Sequence, residues 1–342
     1  MDWLRGAARF FEEKIGWHRV GFVLSISIIA IAAWALYRKL HDINVAKVLS
    51  AMATVDYGDV ALAALFVACA YFTLTFYDLF ALRTIGKSSI PYRIAALGGF
   101  TSYSIGHNVG ATVFTGGAVR YRIYSHWGLT AMDVAKICFV AGTTFWLGNI
   151  TVLGVGIAWH PEAASQIDQL PPAVNRALGI TMLVALVCYV VWVWRTPRIV
   201  GRDNWKVQLP NGPLTLLQIL IGILDLGFCS LAMYMLMPST PYVDFVSISV
   251  VFVTATLGGF ISHSPGGLGV FDTAMLYALS QYDTAELVAG LLIFRLLYYI
   301  TPFTLALVTL GIRELSLSLS RDRKSTRLNS SHIPLSRMPS SA

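Results

Sequence analysis

The sequence predicts an all-α integral membrane protein made of two inverted repeats, each with three transmembrane helices and one broken, re-entrant helical segment. Three observations predict it. Of 342 residues, 56% are hydrophobic and only 13% charged, against about 25% charged in soluble domains. Apolar runs of spanning length recur along the chain, and one polar motif is duplicated between them.

The runs come first. Val20–Tyr37, Val60–Tyr77, Ile137–Trp159 and Ala177–Trp194 carry no charge, and each is near the roughly 20 residues a helix needs to cross the hydrocarbon core. Leu214–Met237 and Leu287–Leu310 are as long but hold Asp225 and Arg295 respectively. The first run follows a basic arm, residues 1–19, yet has no small-residue cleavage site after it, so it reads as a retained helix rather than a leader. Cys69, Cys138, Cys188 and Cys229 lie within apolar runs without ligand spacing, which points to packing rather than to a redox or metal role. The connections are too short for a soluble catalytic domain, and no cofactor is expected. The basic excess, 25 against 18, is spread among loops. That pattern fits an anionic leaflet of a bacterial-type plasma (inner) membrane and not a nucleic-acid partner.

Next comes the duplication. LGGFTSYSIG from Leu97 returns as LGGFISHSPG from Leu257, with seven identities in ten positions, where chance gives roughly one at a single offset. Two apolar runs precede each copy and one follows. This divides the chain into a first repeat, residues 20–159, an external connection, 160–176, and a second repeat, 177–313. Arg5, Arg9, Lys14 and Arg19 put the amino terminus in the cytoplasm, and Arg195, Arg198, Arg202 and Lys206 put that connection there too,. Each broken segment then enters and leaves on one side, and an odd number of crossings inverts the second half relative to the first. Arg38, Lys39 and Lys47 fall on the side this scheme puts outside. If the broken segments cross fully, the spans number eight rather than six and the halves are parallel.

Residues 314–342 read as a disordered tail. Its end, KSTRLNSSHIPLSRMPSSA from Lys324, resembles translated vector sequence and reads as non-native; discounting its three cations lowers the net charge from +7 to +4.

Polar residues in the broken segments have a physical use. Backbone that leaves helical geometry at membrane depth needs partners, so glycines that permit reversal (Gly106, Gly116, Gly117, Gly266, Gly267, Gly269) accompany groups that satisfy the freed backbone: Ser104, His107, Asn108 and Ser264. The alternative is that glycine and serine only let helices pack closely. GGAVRYRIY, with Arg120, Tyr121 and Arg122, suits a bidentate grip on phosphate beside an aromatic ring, or ordinary interfacial anchoring. In PGGLGVFD, Asp272 either caps a half-helix or meets a cationic headgroup. Asp225 and Arg295 sit mid-run, where pairing with each other is the cheapest arrangement for two intramembrane charges.

GGAVRYRIY followed by SPGGLGVFD resembles the transmembrane-region family of lysylphosphatidylglycerol synthetase, over roughly Val20 to Arg313. The resemblance implies a short, non-enzymatic, flippase-like member without the soluble synthase domain, a phospholipid such as aminoacylated phosphatidylglycerol as its partner, and a separate lipid-modifying enzyme beside it. It also implies that Arg120, Arg122 and Asp272 belong to a headgroup site, although family members often carry Glu where this chain has Asp272. Two other readings stand beside it. One is an ion-coupled solute transporter using His107, Asp225 and Arg295; the other is the membrane half of a truncated synthetase.

Overall fold

The computed structural model describes residue 53 and residues 55–110, 112–196, 198–202, 205–261 and 265–331, with side chains through residue 319. The predicted basic arm, the first apolar run and Ser264 lie outside the described residues.

Helix α1, Tyr57–Thr84, starts where the Asp56 carboxylate accepts from Gly58 N. Helices α2, Tyr92–Val109, and α3, Thr112–Tyr124, follow. Helix α4, Ala131–Trp159, opens on a reciprocal capping box between Thr130 and Asp133, which satisfies two otherwise unpaired amide donors. Then come a short α5, Pro161–Asp168, and α6, Pro172–Arg195. An antiparallel β-hairpin, β1 Ile199–Arg202 with β2 Trp205–Gln208, leads into α7, Gly212–Met235. Helix α8, Phe245–Ile261, a 3-10 turn at Pro265–Gly267 and α9, Val270–Ala278, form the second motif region. The chain closes with α10, Thr284–Phe294, a π-helical turn, Arg295–Ile300, and α11, Thr301–Ser331.

Five of these stretches are long and apolar enough to cross a bilayer: α1, α4, α6, α7 and the continuous Thr284–Leu319. The protein is therefore an all-α membrane protein. Its core has two main clusters, called layers below, beside two smaller ones. One holds Leu74, Met233, Leu236, Phe252, Phe271 and Phe294; the other holds Leu82, Ile123, Tyr124, Ile137, Val207 and Phe303. Helix α1 runs from the first layer to the second. Helix α7 runs the other way, beginning beside the β-hairpin and ending at Leu236, and α1 and α7 pack along each other.

Several expectations are corrected. Leu97–Gly110 is helical almost throughout, and the chain reverses at Gly110, φ 86°. Gly106, Gly116 and Gly117 are helical and do not turn the backbone. A methyl group on Gly106 would lie 2.8 Å from Thr112, and one on Gly116 would lie 3.2 Å from Ser102 O. Close approach, not reversal, is what those two provide, and the two contacts make α2 and α3 an antiparallel hairpin. Gly266, Gly267 and Gly269 do take positive φ, 60°, 65° and 82°, as a reversal requires. Residues 160–176, the expected external connection, include α5 and the start of α6. Residues 314–331 continue α11 instead of forming a disordered tail, because Glu314 is tied to Arg122 and neither Gly nor Pro interrupts the run.

Each hairpin roots in a different layer. Ala95 and Ile123 place both outer ends of α2–α3 in the second layer; Phe252 and Phe271 place α8–α9 in the first.

Candidate functional site

The LGGF motif explains how the first hairpin meets α1. A methyl on Gly99 would sit 2.9 Å from Leu74 O, and one on Gly98 would sit 2.2 Å from the Tyr124 hydroxyl. Two bare positions thus let α2 lie on α1 and let Tyr124 pass beneath it. Tyr124 Oη then donates to Asp78 Oδ2 at 2.6 Å. Arg120 reaches the same carboxylate with Nη2 to Oδ1 at 2.7 Å and Nε to both oxygens at 3.0 Å. Its guanidinium also lies over the Tyr103 ring, 4.9 Å from the centroid. Arg120 and Asp78 are both buried. A fork-on-carboxylate geometry with extra donors is what lets two charges sit in an apolar interior.

A second ion pair ties the second hairpin. Asp272 caps α9 by accepting from Gly269 N at 3.0 Å, and it takes Arg295 Nε at 2.9 Å and Nη2 at 2.5 Å. Arg295 Nη1 donates to Gly266 O at 3.2 Å. This corrects the expected Asp225–Arg295 pair: Arg295 faces the hairpin tip, whereas Asp225 on α7 accepts from Tyr77 Oη of α1 at 3.0 Å. The carboxylate nearest Arg295 is thus the one at the start of α9, which capping alone had already oriented. Asp272 thus caps its helix, one of the two expected readings, and its cationic neighbour here is Arg295.

The two hairpins meet at the π turn. Helix α2 touches both the Pro265–Gly267 turn and the Arg295–Ile300 turn. A π turn shifts carbonyls out of the normal helical ladder, and here side chains from neighbouring helices take them up. Asn108 Nδ2 donates to Tyr299 O at 3.0 Å, and Tyr71 Oη donates to Tyr298 O at 3.0 Å. The His107 ring stacks on Tyr298, centroids 6.1 Å apart, and leans on Tyr103 at 5.6 Å. Tyr103 in turn packs edge-on against Tyr77. A polar and aromatic seam therefore runs from Asp78–Arg120 through Tyr103, His107 and Tyr298 to Arg295–Asp272.

The remaining predicted residues lie around it. Ser104 Oγ donates to Phe100 O within its own helix, and its carbonyl accepts from Asn108. Arg122 Nη2 pairs with Glu314 Oε2 at 2.5 Å, which fastens α3 to α11. Tyr121 is half-buried against the second layer. Arg120 and Asp272 are not brought to one point; each has its own counterion on a spanning helix. Sequence reasoning missed Asp78, one residue beyond the apolar run that ended at Tyr77, and Glu314, which it assigned to the tail. The signal for Asp78 was available: a lone carboxylate in YDLFALR continues the helical run.

Fold and site together define a multi-pass α-helical membrane protein in which two helical hairpins meet on a π turn and are held by one buried and one part-buried ion pair. No family model matches the chain. It is 29% identical to an uncharacterized protein, slr0712, of Synechocystis over 304 residues, covering 89% of this chain and 92% of that one. It is also 29% identical to the inner membrane protein YbhN of Escherichia coli over 264 residues, 74% and 80% of the two chains. Against phosphatidylglycerol lysyltransferase of Staphylococcus xylosus the identity is 25% over 295 residues, covering 83% of this chain but 33% of the transferase. The chain is thus a short relative of that enzyme's membrane part, spanning about a third of the enzyme's length.

Proposed function

We propose that this chain is a phospholipid-handling protein of the bacterial inner membrane that passes a lipid headgroup between leaflets along the seam joining its two hairpins. The single observation that carries this reading is the meeting of the hairpin tips, rooted in different core layers, at the Arg295–Ile300 turn. In this reading both hairpins are re-entrant, the halves are inverted repeats, and the amino terminus is cytoplasmic. Polar backbone at membrane depth then lines a path that lipid tails need not enter.

The chemistry of the two ion pairs matches a headgroup that bears both signs. An incoming phosphate competes with Asp78 for the Arg120 fork, and a cationic group competes with Arg295 for Asp272. Of the two carboxylates, Asp272 is the accessible one, with 27% of its side chain exposed against 0% for Asp78. A cationic headgroup therefore engages the second hairpin first. Ser104, His107, Asn108 and Tyr121 flank the path, Ser264 belongs to the second tip, and Arg122 holds α3 against α11. The relatives support the lipid class: one is named for the inner membrane and another for transfer of lysine to phosphatidylglycerol. A separate lipid-modifying enzyme supplies the aminoacylated lipid, and the chain itself performs no covalent step.

The test is reconstitution into unilamellar vesicles with acyl-labelled phosphatidylglycerol and a membrane-impermeant quencher. Quenching past the outer-leaflet half is expected in protein-containing vesicles. A plateau equal to that of protein-free vesicles overturns the reading.

A further inference from the structure

Away from the hairpins, α4 and α6 leave a groove of about 530 Å³ between them, within the range of pockets that hold small ligands. Phe139, Trp146 and Ile150 form one wall; Met182, Leu186 and Tyr189 form the other. Of its lining residues, Leu147 and Leu186 pack with Ile219 of α7 behind them. Helix α6 is peripheral: only 11% of its most apolar window is buried, while Val184, Val187, Val191 and Trp194 are exposed. The groove thus faces the surroundings of the bundle rather than the seam.

One end of the groove is charged. Val200 and Leu209, at the base of the β-hairpin, complete its lining. There Arg198 lies over the Trp192 ring, 4.7 Å from the centroid, with Nε donating to Trp192 O at 3.5 Å. The stretch from Arg195 to Lys206 holds four cations and a single carboxylate, Asp203. Arg195, Arg202 and Lys206 are exposed, and none of the four takes part in an ion pair among the described residues. Because this hairpin directly joins the ends of two spans, its cations stand where the apolar groove meets the water interface. Trp192 and Trp194 there match the aromatic belt of membrane proteins.

From this juxtaposition we propose that the α4–α6 groove is a binding site for one anionic phospholipid, with an acyl chain along the Trp146 and Tyr189 walls and the phosphate against Arg198 and its neighbouring cations. An apolar slot alone would accept any lipid. The cationic mouth selects negative headgroups, each basic residue near the interface strengthening binding about five-fold. The site is separate from the hairpin seam and does not depend on movement of lipid there.

The experiment is native mass spectrometry of the full chain released from micelles containing equal amounts of palmitoyl-oleoyl phosphatidylglycerol and phosphatidylcholine. The wild type should retain one phosphatidylglycerol in clear preference. Ala185→Trp, an exposed position on the groove wall, and Thr143→Trp, on the opposite wall, should each remove the retained lipid. Arg198→Gln should keep lipid binding but lower the preference for phosphatidylglycerol about five-fold. Melting temperatures check the fold, and the two wall variants report independently. Retention unchanged in both wall variants overturns the proposal. So does a preference unchanged in Arg198→Gln, or a wild-type dimer that Ala185→Trp dissociates, which would make the groove a protein contact. A failure of leaflet exchange with retention intact bears on the hairpin reading alone.

Discussion

Arg120 and Asp78 form a buried, forked ion pair that fastens the outgoing limb of the first hairpin to the first described spanning helix. Removing one partner leaves a charge stranded in an apolar layer. Asp78→Leu or Arg120→Met alone should lower unfolding stability by about 3–5 kcal/mol, whereas the double replacement should regain most of it. Thermal unfolding in detergent checks this. Equal losses in single and double variants would mean that the charges do not act as a pair.

The second pair should behave differently because water reaches Asp272. Asp272→Asn should destabilise less than Asp78→Leu, by about 1–2 kcal/mol, since it loses the charge that pairs with Arg295 but keeps an acceptor oxygen at a position that water reaches. Arg295 itself is buried, and the smaller loss is expected because water reaches position 272 and an amide oxygen there can still accept from the guanidinium. Denaturation of the two variants side by side provides the comparison, and a larger loss at Asp272 would reverse the stated order.

Gly98 and Tyr124 should be coupled. Gly98→Ala drives a methyl into the Tyr124 hydroxyl, and so should cost about 2 kcal/mol or more by overpacking. In a Tyr124→Ala background that clash has no partner, and the further loss should fall below about 0.5 kcal/mol. A double-mutant cycle on melting stability reads the coupling. Additive effects would show that Gly98 serves some other contact.

At the tip of the first hairpin, Asn108→Leu removes a side-chain donor to Tyr299 O. Loss of one buried hydrogen bond costs about 0.5–1.5 kcal/mol, and protection of the Arg295–Ile300 amides from hydrogen exchange should fall with it. Unchanged exchange there would detach the tip from the π turn.

Acid should loosen the entry to the second hairpin. Burial tends to raise the Asp244 carboxyl, but bonds from the Ser247 hydroxyl and amide, with His160 nearby, hold it below the ordinary carboxylate range. A carboxyl with a lowered folded pKa contributes stability that is present above its unfolded pKa and is lost as pH falls through the folded one. Stability should therefore fall more steeply below about pH 4 in the wild type than in Asp244→Asn. Parallel curves would contradict it.

Much of the fold was legible because membrane helices announce themselves by run length, and Asp283, Asn211 and the Thr130–Asp133 pair mark helix starts locally. Each copy of the duplicated LGGF lies in a helical hairpin, and in the first copy its glycine pair serves close packing, one of the two readings open from the sequence. A glycine pair serves reversal or close packing equally well in a one-dimensional pattern, and only the neighbours, Leu74 O and Tyr124, decide for packing. The ion pairs show the same limit. Arg295 had two carboxylates to choose between, Asp225 and Asp272, and its choice depends on the hairpin fold rather than on depth along the run. The π turn had no sequence signal, since RLLYYI is an ordinary apolar helix stretch until Asn108 and Tyr71 draw its carbonyls aside.

The most direct test is leaflet exchange of labelled phosphatidylglycerol by the stable Asp78→Leu, Arg120→Met double variant in reconstituted vesicles. If the Arg120 fork is where the headgroup is held, the double variant folds and inserts like the wild type but exchanges lipid at the protein-free rate. Exchange at the wild-type rate would show that this ion pair only holds the hairpin in place.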